Sequence, residues 1–576
     1  MERQSKSWNI APIVNQKSLN DLQQALNVDR IIASLLIQRG VHTFDEAKIF
    51  FRPELDHLHD PFLMKDMDRA VKRIQAALLL NEKILIYGDY DVDGTTAVAL
   101  FYSFISSQTT NVDFYIPDRY KEGYGISYTG IDYAVSTGCS LIVALDCGIK
   151  SVDHVRYAKE KGVDFVICDH HLPSDILPEA VAILDPKQSD CHYPYKELSG
   201  CAIGFKLAHA ICKENQMNFS EVEKYLDLVA ISIAADIVPI TGENRILAYF
   251  GLKKLNQKER PGILALLENL KQDGQKSEQE ITISNIVFTI GPRINAAGRI
   301  DHGSKAVRLL TSRNFDEAKK IAEEINKNNS DRRDLDLGIT NEALEMISKE
   351  PESKNRKTNV LFRDTWHKGV VGIVASRITE HYYKPTVVLT ESNGMVMGSA
   401  RSVKDFDLYN AIEKCSDLLE QFGGHKYAAG LAMRRENFDA FSKKFEKVVS
   451  DSITDEMLIP REEIDLQINF NEIKDKLFRV LKQFAPHGPG NMTPVFCTNS
   501  VYDTGFARVV GSNHLKLELH QEQNYNDRIE AIGFGMGDYL PFFQQKREIS
   551  ICYTINQNHY AGKDKLQLVI RSIKAD

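Results

Sequence analysis

The sequence lacks three features that would place it in a special class of protein. No run approaches the ~18 apolar residues of a membrane span, and residues 1–7 lead into no hydrophobic signal segment. The nine cysteines form no Cys-x-x-Cys pair and are odd in number, which argues against a disulfide framework and a structural zinc site. There is no basic excess either, because the net charge is −8. That charge argues against a broad surface that coats nucleic acid, but it is compatible with a local basic groove. We therefore expect a cytoplasmic protein that does not enter a membrane.

The length of 576 residues predicts three or four domains, and the 43% hydrophobic and 26% charged content is ordinary for a globular protein. Alternating strands and helices predict a doubly wound parallel α/β sheet, followed by a second α/β domain and a β-rich C-terminal part. The predicted boundaries are a helical N-terminal cap supporting the next domain at 1–80, the parallel-sheet domain at 81–314, a connecting helix at 315–350, the second α/β domain at 351–458 and a β-barrel at 459–576.

The most informative stretch is residues 83–95. Ile84–Tyr87 is an apolar run that predicts a buried strand, and three carboxylates follow it at alternate positions, Asp89, Asp91 and Asp93. Three like charges within five residues repel one another in a plain turn, but they are favourable where they face cations. The alternative is a polar loop in which Asp93 caps the following helix.

The same arrangement recurs twice downstream. Leu141–Leu145 predicts a buried strand that ends at Asp146, and Phe165–Cys168 predicts another that ends at Asp169-His170-His171. Ligands collect at the carboxyl ends of strands in open α/β sheets. A further candidate is Asp236, a lone charge in an apolar run, which is costly unless the charge is paired or metal-bound.

This mixture of carboxylates and imidazoles suits Mn²⁺, and it suits Mg²⁺ less well. Five or six ligands exceed the needs of one ion. They suit two ions about 3.5–4 Å apart, the spacing that activates water and stabilises a leaving oxygen in phosphoryl transfer. The residues themselves therefore predict hydrolysis of a phosphoester.

Several glycine-rich clusters carry cations of the kind that grip phosphate. We predict that Gly291–Arg299 is a loop whose two arginines contact phosphate. Two further clusters combine glycine with Ser, Arg, His and Lys, at residues 398–402 and 423–430. A third segment, residues 117–125, combines a cation with aromatic residues, and its alternative is a plain surface turn. Phe315–Lys349 predicts a long, charged connecting helix with a break near Asn328.

The C-terminal part shows short alternating strands, for example Leu515–Leu519 and Ile549–Ile555. This pattern predicts a small barrel, either an oligonucleotide-binding one or a purely structural module. The candidate DNA contacts there are Tyr502, Phe506, Arg508 and Lys516, with the alternative that Phe506 completes the barrel core.

Taken together, these motifs resemble a known family. Asp169-His170-His171 is similar to the signature triplet of the DHH phosphoesterases. The ordered set of residues 88–94, 146–148, 291–299 and 423–430 resembles the RecJ family, which are bacterial single-strand-specific 5′→3′ DNA exonucleases. The resemblance runs from about Phe50 through the turn at 486–491 into the barrel. It implies a DHH domain, a second DHH-associated domain and an OB-like barrel.

The resemblance also implies roles for individual residues. Two Mn²⁺ or Mg²⁺ ions would be bound by six ligands, Asp89, Asp91, Asp93, Asp146, His170 and Asp236. His171 would contact the scissile phosphate, and Asp169 would orient the neighbouring imidazoles. The implied substrate contacts are Arg293, Arg299 and His425, with Arg119, Ser399 and Arg401 recognising the 5′ end and Tyr124 as a base-stacking platform.

The implied activity is metal-dependent hydrolysis of single-stranded DNA from the 5′ end to mononucleotides, in DNA repair and recombination. We expect a monomer that works beside a helicase and a single-strand-binding protein. One alternative is a DHH hydrolase of short oligonucleotides or cyclic dinucleotides, which would not require the barrel. Another is a replication scaffold with an inactive site, against which the complete set of candidate ligands argues.

Overall fold

The computed structural model describes residues 6–12, 15–272, 280–392, 394–521, 524–545, 548–560 and 563–575. The chain divides into two compact units. The small unit consists of residues 1–7, 295–302 and 323–461, and the large unit consists of residues 8–294, 303–322 and 462–576. None of the helices in the described ranges has the length and apolar character needed to span a bilayer.

In the described part of the N-terminal region, the strand and the α-helices are β1 (Ser7–Ile10), α1 (Gln16–Leu26), α2 (Arg30–Gln38), α3 (Phe44–Phe51) and α4 (Met67–Leu79). Helix α3 begins with a capping box, in which Thr43 and Glu46 satisfy each other's backbone N–H groups. Helix α4 has a strongly amphipathic sequence and packs against the last strand of the central sheet.

A five-stranded parallel sheet forms the centre of the large unit, with strand order β3-β2-β4-β5-β6. Its elements are β2 (Lys83–Gly88), α5 (Val92–Ile105), β3 (Val112–Tyr115), α6 (Tyr128–Ser136), β4 (Cys139–Leu145), α7 (Val152–Glu160), β5 (Asp164–Cys168) and β6 (Ala182–Leu184). Because the chain leaves β2 to β3 on one side and returns to β4 on the other, a crevice opens at the carboxyl ends of β2 and β4. The predicted parallel α/β fold is confirmed.

A series of helices follows the sheet in sequence. They are α8 (Gly200–Glu214), α9 (Ser220–Glu223), α10 (Leu226–Ala235), α11 (Gly242–Asn256), α12 (Pro261–Gln272), α13 (Ile283–Asn285), α14 (Gly291–Ile300), α15 (Ser304–Thr311) and α16 (Phe315–Lys349). Helix α8 packs against β4 and β5. Helices α8 and α10 are almost entirely buried, as expected for helices that pack on several sides.

Two predictions for this region are wrong. Gly291–Arg299 is not a loop but the body of α14, because Ile294, Ala296 and Ala297 are fully buried and their packing outweighs the local preference of glycine and proline. Helix α16 is not broken near Asn328, since it runs unbroken over 35 residues and the Asn329 carboxamide oxygen accepts a hydrogen bond from Arg332 at 3.0 Å.

The small unit contains a second, mixed sheet with strand order β10-β11-β9-β8-β7. Its elements are β7 (Asn359–Phe362), α17 (Val371–Tyr382), β8 (Thr386–Ser392), β9 (Met395–Arg401), α18 (Leu408–Glu413), β10 (Gln421–His425), β11 (Ala428–Met433) and α19 (Phe438–Ser450). Helix α17 packs across β8 and β9, so its N-terminal turn lies near the end of β9. The predicted second α/β domain is confirmed.

The C-terminal part is a barrel. Its elements are β12 (Arg461–Ile464), β13 (Leu466–Gln467), α20 (Asp475–Lys482), β14 (Phe496–Asp503), β15 (Arg508–Val510), β16 (His514–Gln521), β17 (Asn524–Gly533), α21 (Leu540–Gln544), β18 (Ile549–Tyr560) and β19 (Lys563–Ala575). The strands pair in the order β14-β18-β19-β17-β16, and β14 also pairs with β16, which closes a five-stranded barrel. The predicted OB-like barrel is confirmed.

The barrel shares its hydrophobic core with the first three helices of the chain. Leu22, Ile31 and Leu35 belong to the same buried cluster as Phe496 and Leu517. The prediction that the N-terminal region is a supporting cap on the following domain stays a prediction, and the contact with the barrel comes in addition to it. One core joins these segments from opposite ends of the sequence, and the barrel is therefore an integral part of the large unit.

Candidate metal centre

Four aspartates lie side by side at the carboxyl edge of the central sheet. In the strand register, Gly88 is opposite Leu145, Leu145 is opposite Cys168, and Cys168 is opposite Leu184. Each of these residues is followed by an aspartate, so the register aligns Asp89, Asp146, Asp169 and Asp185. All four are at most 1% exposed.

Asp93 is held by the beginning of helix α8. Its Oδ2 accepts a hydrogen bond from Gly200 N at 2.7 Å, and its Oδ1 accepts from Cys201 N at 2.8 Å and from Ser232 Oγ at 2.6 Å. The N-terminus of a helix carries partial positive charge and favours such an anion. Asp91 rather than Asp93 caps α5, since its side chain accepts from Gly94 N at 3.0 Å. The alternative that Asp93 is the helix cap is therefore wrong.

His170 brings the carboxylates of three separate elements together. Its Nε2 lies 3.2 Å from Asp146 Oδ1, 3.6 Å from Asp236 Oδ2 and 3.8 Å from Asp93 Oδ2. Potential ligand atoms of Asp93, His170 and Asp236 all lie within 4.8 Å of one another, and so do those of Asp146, His170 and His171. The two sets share His170, so together they bring five candidate ligand residues to one place.

Several of these ligand atoms have no partner. Asp89 Oδ2, Asp146 Oδ1 and His170 Nδ1 are buried and make no hydrogen bond to any of the described residues. Asp146 also has a left-handed backbone, with φ of +59°, which is unfavourable for a residue other than glycine. Buried, unpaired polar atoms are costly. A site of this composition fits divalent cations bound by oxygen and imidazole.

The electrostatics lead to the same conclusion. Burial, reinforced by neighbouring carboxylates, raises the pKa of Asp89 and of Asp146 well above its ordinary value. Burial and the charges of Asp93 and Asp91 raise the pKa of Asp236 to about 8. Burial likewise lowers the pKa of His170. All of these shifts disfavour the charged carboxylates and the charged imidazole, and a bound cation would favour the ionised carboxylates and the neutral imidazole instead.

His171 is oriented by two neighbours. Its Nδ1 lies 2.7 Å from Asp169 Oδ1, and its Nε2 lies 3.2 Å from the Tyr124 hydroxyl, which donates to the backbone oxygen of Asp146 at 3.2 Å. Burial works to lower the pKa of His171, but the hydrogen bond to Asp169 and its charge outweigh burial and raise it. Although burial opposes ionisation, His171 and backbone N–H groups hold the pKa of Asp169 at about 2.

The Asp169 carboxylate contacts both histidines of the triplet. Its Oδ1 accepts from the backbone N–H groups of His170 and His171 and contacts the His171 ring, and its Oδ2 accepts from Ile149 N at 2.9 Å. The His170 ring has no hydrogen bond to Asp169 among the described contacts. That Asp169 orients the neighbouring imidazoles stays a prediction, and the ring contact that supports it is the one to His171.

The predicted substrate contacts of the large unit differ in their surroundings. Arg119 places its guanidinium 4.6 Å from the centre of the Tyr90 ring. Tyr124 is 52% exposed and also contacts Tyr90 edge-on, so its ring offers a free face although its hydroxyl is engaged. Arg293 is buried in α14 and donates to Thr289 O at 2.9 Å.

Another set of predicted contacts lies in the small unit. Arg401 donates from NH1 to Ser399 Oγ at 2.5 Å, and a Cβ placed on Gly372 would lie 3.1 Å from Arg401 NH2 and 3.2 Å from Ser399 Oγ. Both side chains therefore lie over the first turn of α17. Arg299 donates to Gly369 O at 3.0 Å, just before that helix, and His425 lies exposed at the end of β10.

Sequence reasoning missed Asp185. It lies in register beside Asp169, and burial raises its pKa to about 7. Its Oδ1 accepts from Lys187 N at 2.8 Å, and its Oδ2 has no partner among the described residues. The available signal was the apolar triplet Ala182–Leu184 just before it, which is too short to stand out as a strand.

A parallel sheet whose carboxyl edge presents aspartates and an Asp-His-His triplet defines a metal-dependent phosphoesterase of the DHH class. Residues 83–233 match the DHH family N-terminal domain, residues 355–451 match the DHHA1 domain and residues 464–572 match the RecJ OB domain.

The comparisons with individual proteins agree with these domain matches. The chain is 35% identical to the single-stranded-DNA-specific exonuclease RecJ of Bacillus subtilis (strain 168), over 97% of this chain and 69% of that protein. It is 32% identical to RecJ of Escherichia coli (strain K12), over 94% of this chain and 95% of that protein. The crystal structure of RecJ from Thermus thermophilus in complex with Mn²⁺ has the same fold, with a TM-score of 0.83, 24% identity and coverage of 99% of this chain and 80% of that one. The chain belongs to the RecJ family of single-stranded-DNA-specific exonucleases.

Proposed function

We propose that this protein hydrolyses single-stranded DNA from the 5′ end to mononucleotides, in DNA repair and recombination. The observation that carries the proposal is the convergence of Asp93, Asp146, Asp236 and His170 in a chain that belongs to the RecJ family. The proteins named RecJ that it resembles are single-stranded-DNA-specific exonucleases.

The proposed centre holds two divalent cations, Mn²⁺ or Mg²⁺. RecJ of Thermus thermophilus has been solved in complex with each of these ions. The proposed ligands are Asp89, Asp91, Asp93, Asp146, His170 and Asp236. When bound, such ions activate water and neutralise charge on the attacking and leaving oxygens. The buried oxygens of Asp89 and Asp146 support this assignment, because Asp89 Oδ2 and Asp146 Oδ1 make no hydrogen bond to the described residues. Asp146 Oδ1 also lies 3.2 Å from Nε2 of His170, another proposed ligand.

His171 would contact the scissile phosphate. His171 Nε2 lies 3.2 Å from the Tyr124 oxygen, and which of the two atoms donates depends on the histidine tautomer. On the other side of the ring, Nδ1 contacts Asp169, whose hydrogen bond and charge raise the pKa of His171 against the effect of burial. A ring held in this way by a carboxylate, with a raised pKa, suits contact with a phosphate oxygen.

We propose that Ser399 and Arg401 recognise the 5′-terminal phosphate, and we propose the same role for Arg119. The beginning of a twelve-residue helix, α17, lies beneath Ser399 and Arg401 at Gly372. Backbone N–H groups and a guanidinium at one place form a typical phosphate site. Arg293, Arg299 and His425 would contact the phosphates that follow, and the exposed ring of Tyr124 would stack on a base.

The barrel favours a long substrate over the alternative of short oligonucleotides or cyclic dinucleotides. It contains an exposed Phe506, 40% accessible, with the Arg508 guanidinium 4.3 Å from the ring centre, a combination typical of single-strand binding. We further propose a cytoplasmic monomer that receives its strand from a helicase and a single-strand-binding protein. The nine cysteines are buried and form no disulfide in the described structure, as suits a reducing compartment.

The proposal is tested with oligonucleotides labelled at the 5′ or the 3′ end, single-stranded or duplex, in Mn²⁺, Mg²⁺ or chelator. We expect the 5′ label to appear at once as a mononucleotide, the 3′ label to appear last, and duplexes and chelated reactions to remain uncut. Early release of the 3′ label, or equal cleavage of duplexes, would contradict the proposed polarity or strand preference.

A further inference from the structure

A partly buried turn at residues 486–491, between α20 and β14, lies against the segment that leaves the metal centre. This proline-glycine turn has the sequence Pro-His-Gly-Pro-Gly-Asn. It closes on itself, because Gly488 and Asn491 exchange backbone hydrogen bonds of 3.2 and 2.8 Å. Neither the metal ligands nor the proposed substrate contacts include any residue of this turn.

Two buried arginines fix the turn in place. Arg245 of α11 has no carboxylate partner in the described part of the chain. Its guanidinium instead donates to the backbone oxygens of Phe50 and of residues 483–486, among them Phe484 O at 2.8 Å and Ala485 O at 3.0 Å. Arg39 donates from Nε to the Asn491 side-chain oxygen at 2.9 Å, and Asn491 in turn donates to Phe484 O at 2.7 Å. A loop held by this many buried bonds is a rigid support.

The supported segment is residues 239–241. Ile240 N donates to Pro489 O at 2.7 Å. The contact is too close for side chains on the turn, because a Cβ on Gly488 would lie 2.5 Å from Ile240 Cδ1, and one on Gly490 would lie 2.7 Å from Thr241 Cγ2. On the opposite side of the segment, the Tyr195 hydroxyl donates to Pro239 O at 3.2 Å. The segment is therefore clamped between Tyr195 and the turn.

This clamp begins three residues after Asp236. Helix α10 ends at Ala235, and Ile237 then adopts a left-handed backbone with φ of +59° while its side chain is 62% exposed. An exposed isoleucine in that conformation has little packing of its own to stabilise it, and a left-handed backbone is unfavourable for a β-branched residue. Such strain persists only where the neighbouring structure imposes it. The contacts of residues 239–241 supply that constraint.

We propose that the proline-glycine turn is a positioning element for Asp236, which it holds in reach of the metal ions through residues 237–241. The inference rests on the proposed function in taking Asp236 as a ligand. It gives a role to Gly488 and Gly490, although neither glycine is a proposed metal ligand or belongs to a strand of the barrel. The turn also leads within five residues into β14, so the barrel is joined to a metal ligand by a short, rigid path.

The test is a titration of the chelator-treated full-length protein with Mn²⁺, following free Mn²⁺ by electron paramagnetic resonance. In Gly490→Ala, the new methyl group pushes on Thr241, and we expect Mn²⁺ to bind about tenfold more weakly at one site. Thr241→Ser removes the Cγ2 atom in conflict and keeps the hydroxyl bonded to Tyr195, so the double variant should recover binding. In an Asp236→Asn background, Gly490→Ala should cause no further loss.

Gly162→Ala is the matched control. Its φ of +77° equals the +74° of Gly490 within a few degrees, but none of the described atoms lies within 4 Å of its Cβ position. It therefore carries the same backbone strain without the contact, and its Mn²⁺ affinity should match that of the wild type. If Gly490→Ala does not fold, Gly488→Ala with its rescue partner Ile240→Ala provides the same comparison, because Ile240→Ala removes both Cδ1 and Cγ1, which lie 2.5 and 2.9 Å from the Cβ position on Gly488.

Equal Mn²⁺ affinity in folded Gly490→Ala and the wild type would overturn the inference and leave the proposed function intact. Equal weakening in Gly162→Ala, or an unrescued loss in Gly490→Ala with Thr241→Ser, would also overturn it, because the effect would then be general strain. Failure of the wild type to bind Mn²⁺ would refute the proposed metal centre itself.

Discussion

Replacing Asp236 by asparagine should have opposite effects on stability in chelator and in Mn²⁺. In the metal-free protein, ligand atoms of Asp93 and Asp236 lie within 4.8 Å of each other. Two unit charges at that distance repel by about 3.5 kcal/mol at an effective dielectric constant of about 20. Because the Asp236 side chain is 28% exposed, water screens part of this repulsion, and we expect Asp236→Asn to raise the free energy of unfolding by about 2 kcal/mol in chelator.

The pH dependence of this gain follows from the raised pKa of Asp236, which burial and then the charges of Asp93 and Asp91 set at about 8. The folded protein retains the proton that the unfolded chain has already lost, so this group destabilises the fold progressively as the pH rises from about 4 towards 8. The gain of Asp236→Asn in chelator should therefore be near zero at pH 4 and largest above pH 8.

Mn²⁺ should reverse the order. At a concentration a hundred times its dissociation constant, a ligand adds about 2.7 kcal/mol to the free energy of unfolding. We expect the wild type to gain this amount and Asp236→Asn to gain much less. The assay is urea unfolding at pH 8 followed by circular dichroism, with chelator or with Mn²⁺.

Asp185→Asn is the matched control, because Asp185 is another buried aspartate of raised pKa on the same sheet edge but belongs to neither cluster of candidate ligands. It should be stabilised in chelator and should keep the full gain from Mn²⁺. A metal-free Asp236→Asn that is less stable than the wild type, or one that gains as much from Mn²⁺, would refute the reasoning.

Three further predictions concern other parts of the chain. Arg401→Ala should reduce the preference for a 5′-phosphorylated over a 5′-hydroxyl strand by about tenfold, since it removes a charge-assisted contact. An unchanged preference in competition kinetics would mean that the terminal phosphate binds elsewhere. Phe506→Ala should weaken the binding of long single strands by about 1–3 kcal/mol in fluorescence anisotropy and leave the binding of short strands unchanged. Equal losses of affinity for long and short strands would give Phe506 a structural role. Burial and then the charges of Arg39 and Arg245 lower the pKa of His487 to about 4. Because the unfolded chain takes up this proton at a higher pH than the folded protein, the free energy of unfolding falls as the pH drops from 6.5 towards 4, by about 2 kcal/mol at pH 5. His487→Gln should remove that part of the acid sensitivity in urea unfolding, and an unchanged pH dependence would contradict the assignment.

The central sheet was predictable because its strands are short and apolar. The run Ile84–Tyr87 predicts β2, which the structure extends by one residue at each end. The rule that parallel strands present ligands at one edge brought Asp89, Asp146 and Asp169 together without knowledge of the fold. The tight register that aligns them follows from burial of both faces of the sheet.

Other features depend on contacts that no local pattern contains. Gly291–Ile300 has the composition of a loop, but the buried Ile294 makes it a helix. The core shared between α2 and the barrel joins residues such as Ile31 and Phe496, whose sequence separation hides their contact. The hydrogen bond between Tyr124 and His171 depends on how the 117–125 segment folds back, which composition does not specify.

The most direct test of the central claim compares the rate of mononucleotide release from a 5′-phosphorylated single strand by the wild type and by Asp146→Ala in Mn²⁺. We predict that Asp146→Ala releases no mononucleotide above background, although it remains folded and binds the strand, since loss of this carboxylate removes metal-assisted contributions of several kcal/mol. Asp113→Asn, which changes an aspartate of β3 bonded to Tyr133, should retain hydrolysis. Release by Asp146→Ala at the wild-type rate would contradict the claim that this sheet edge is the catalytic metal centre.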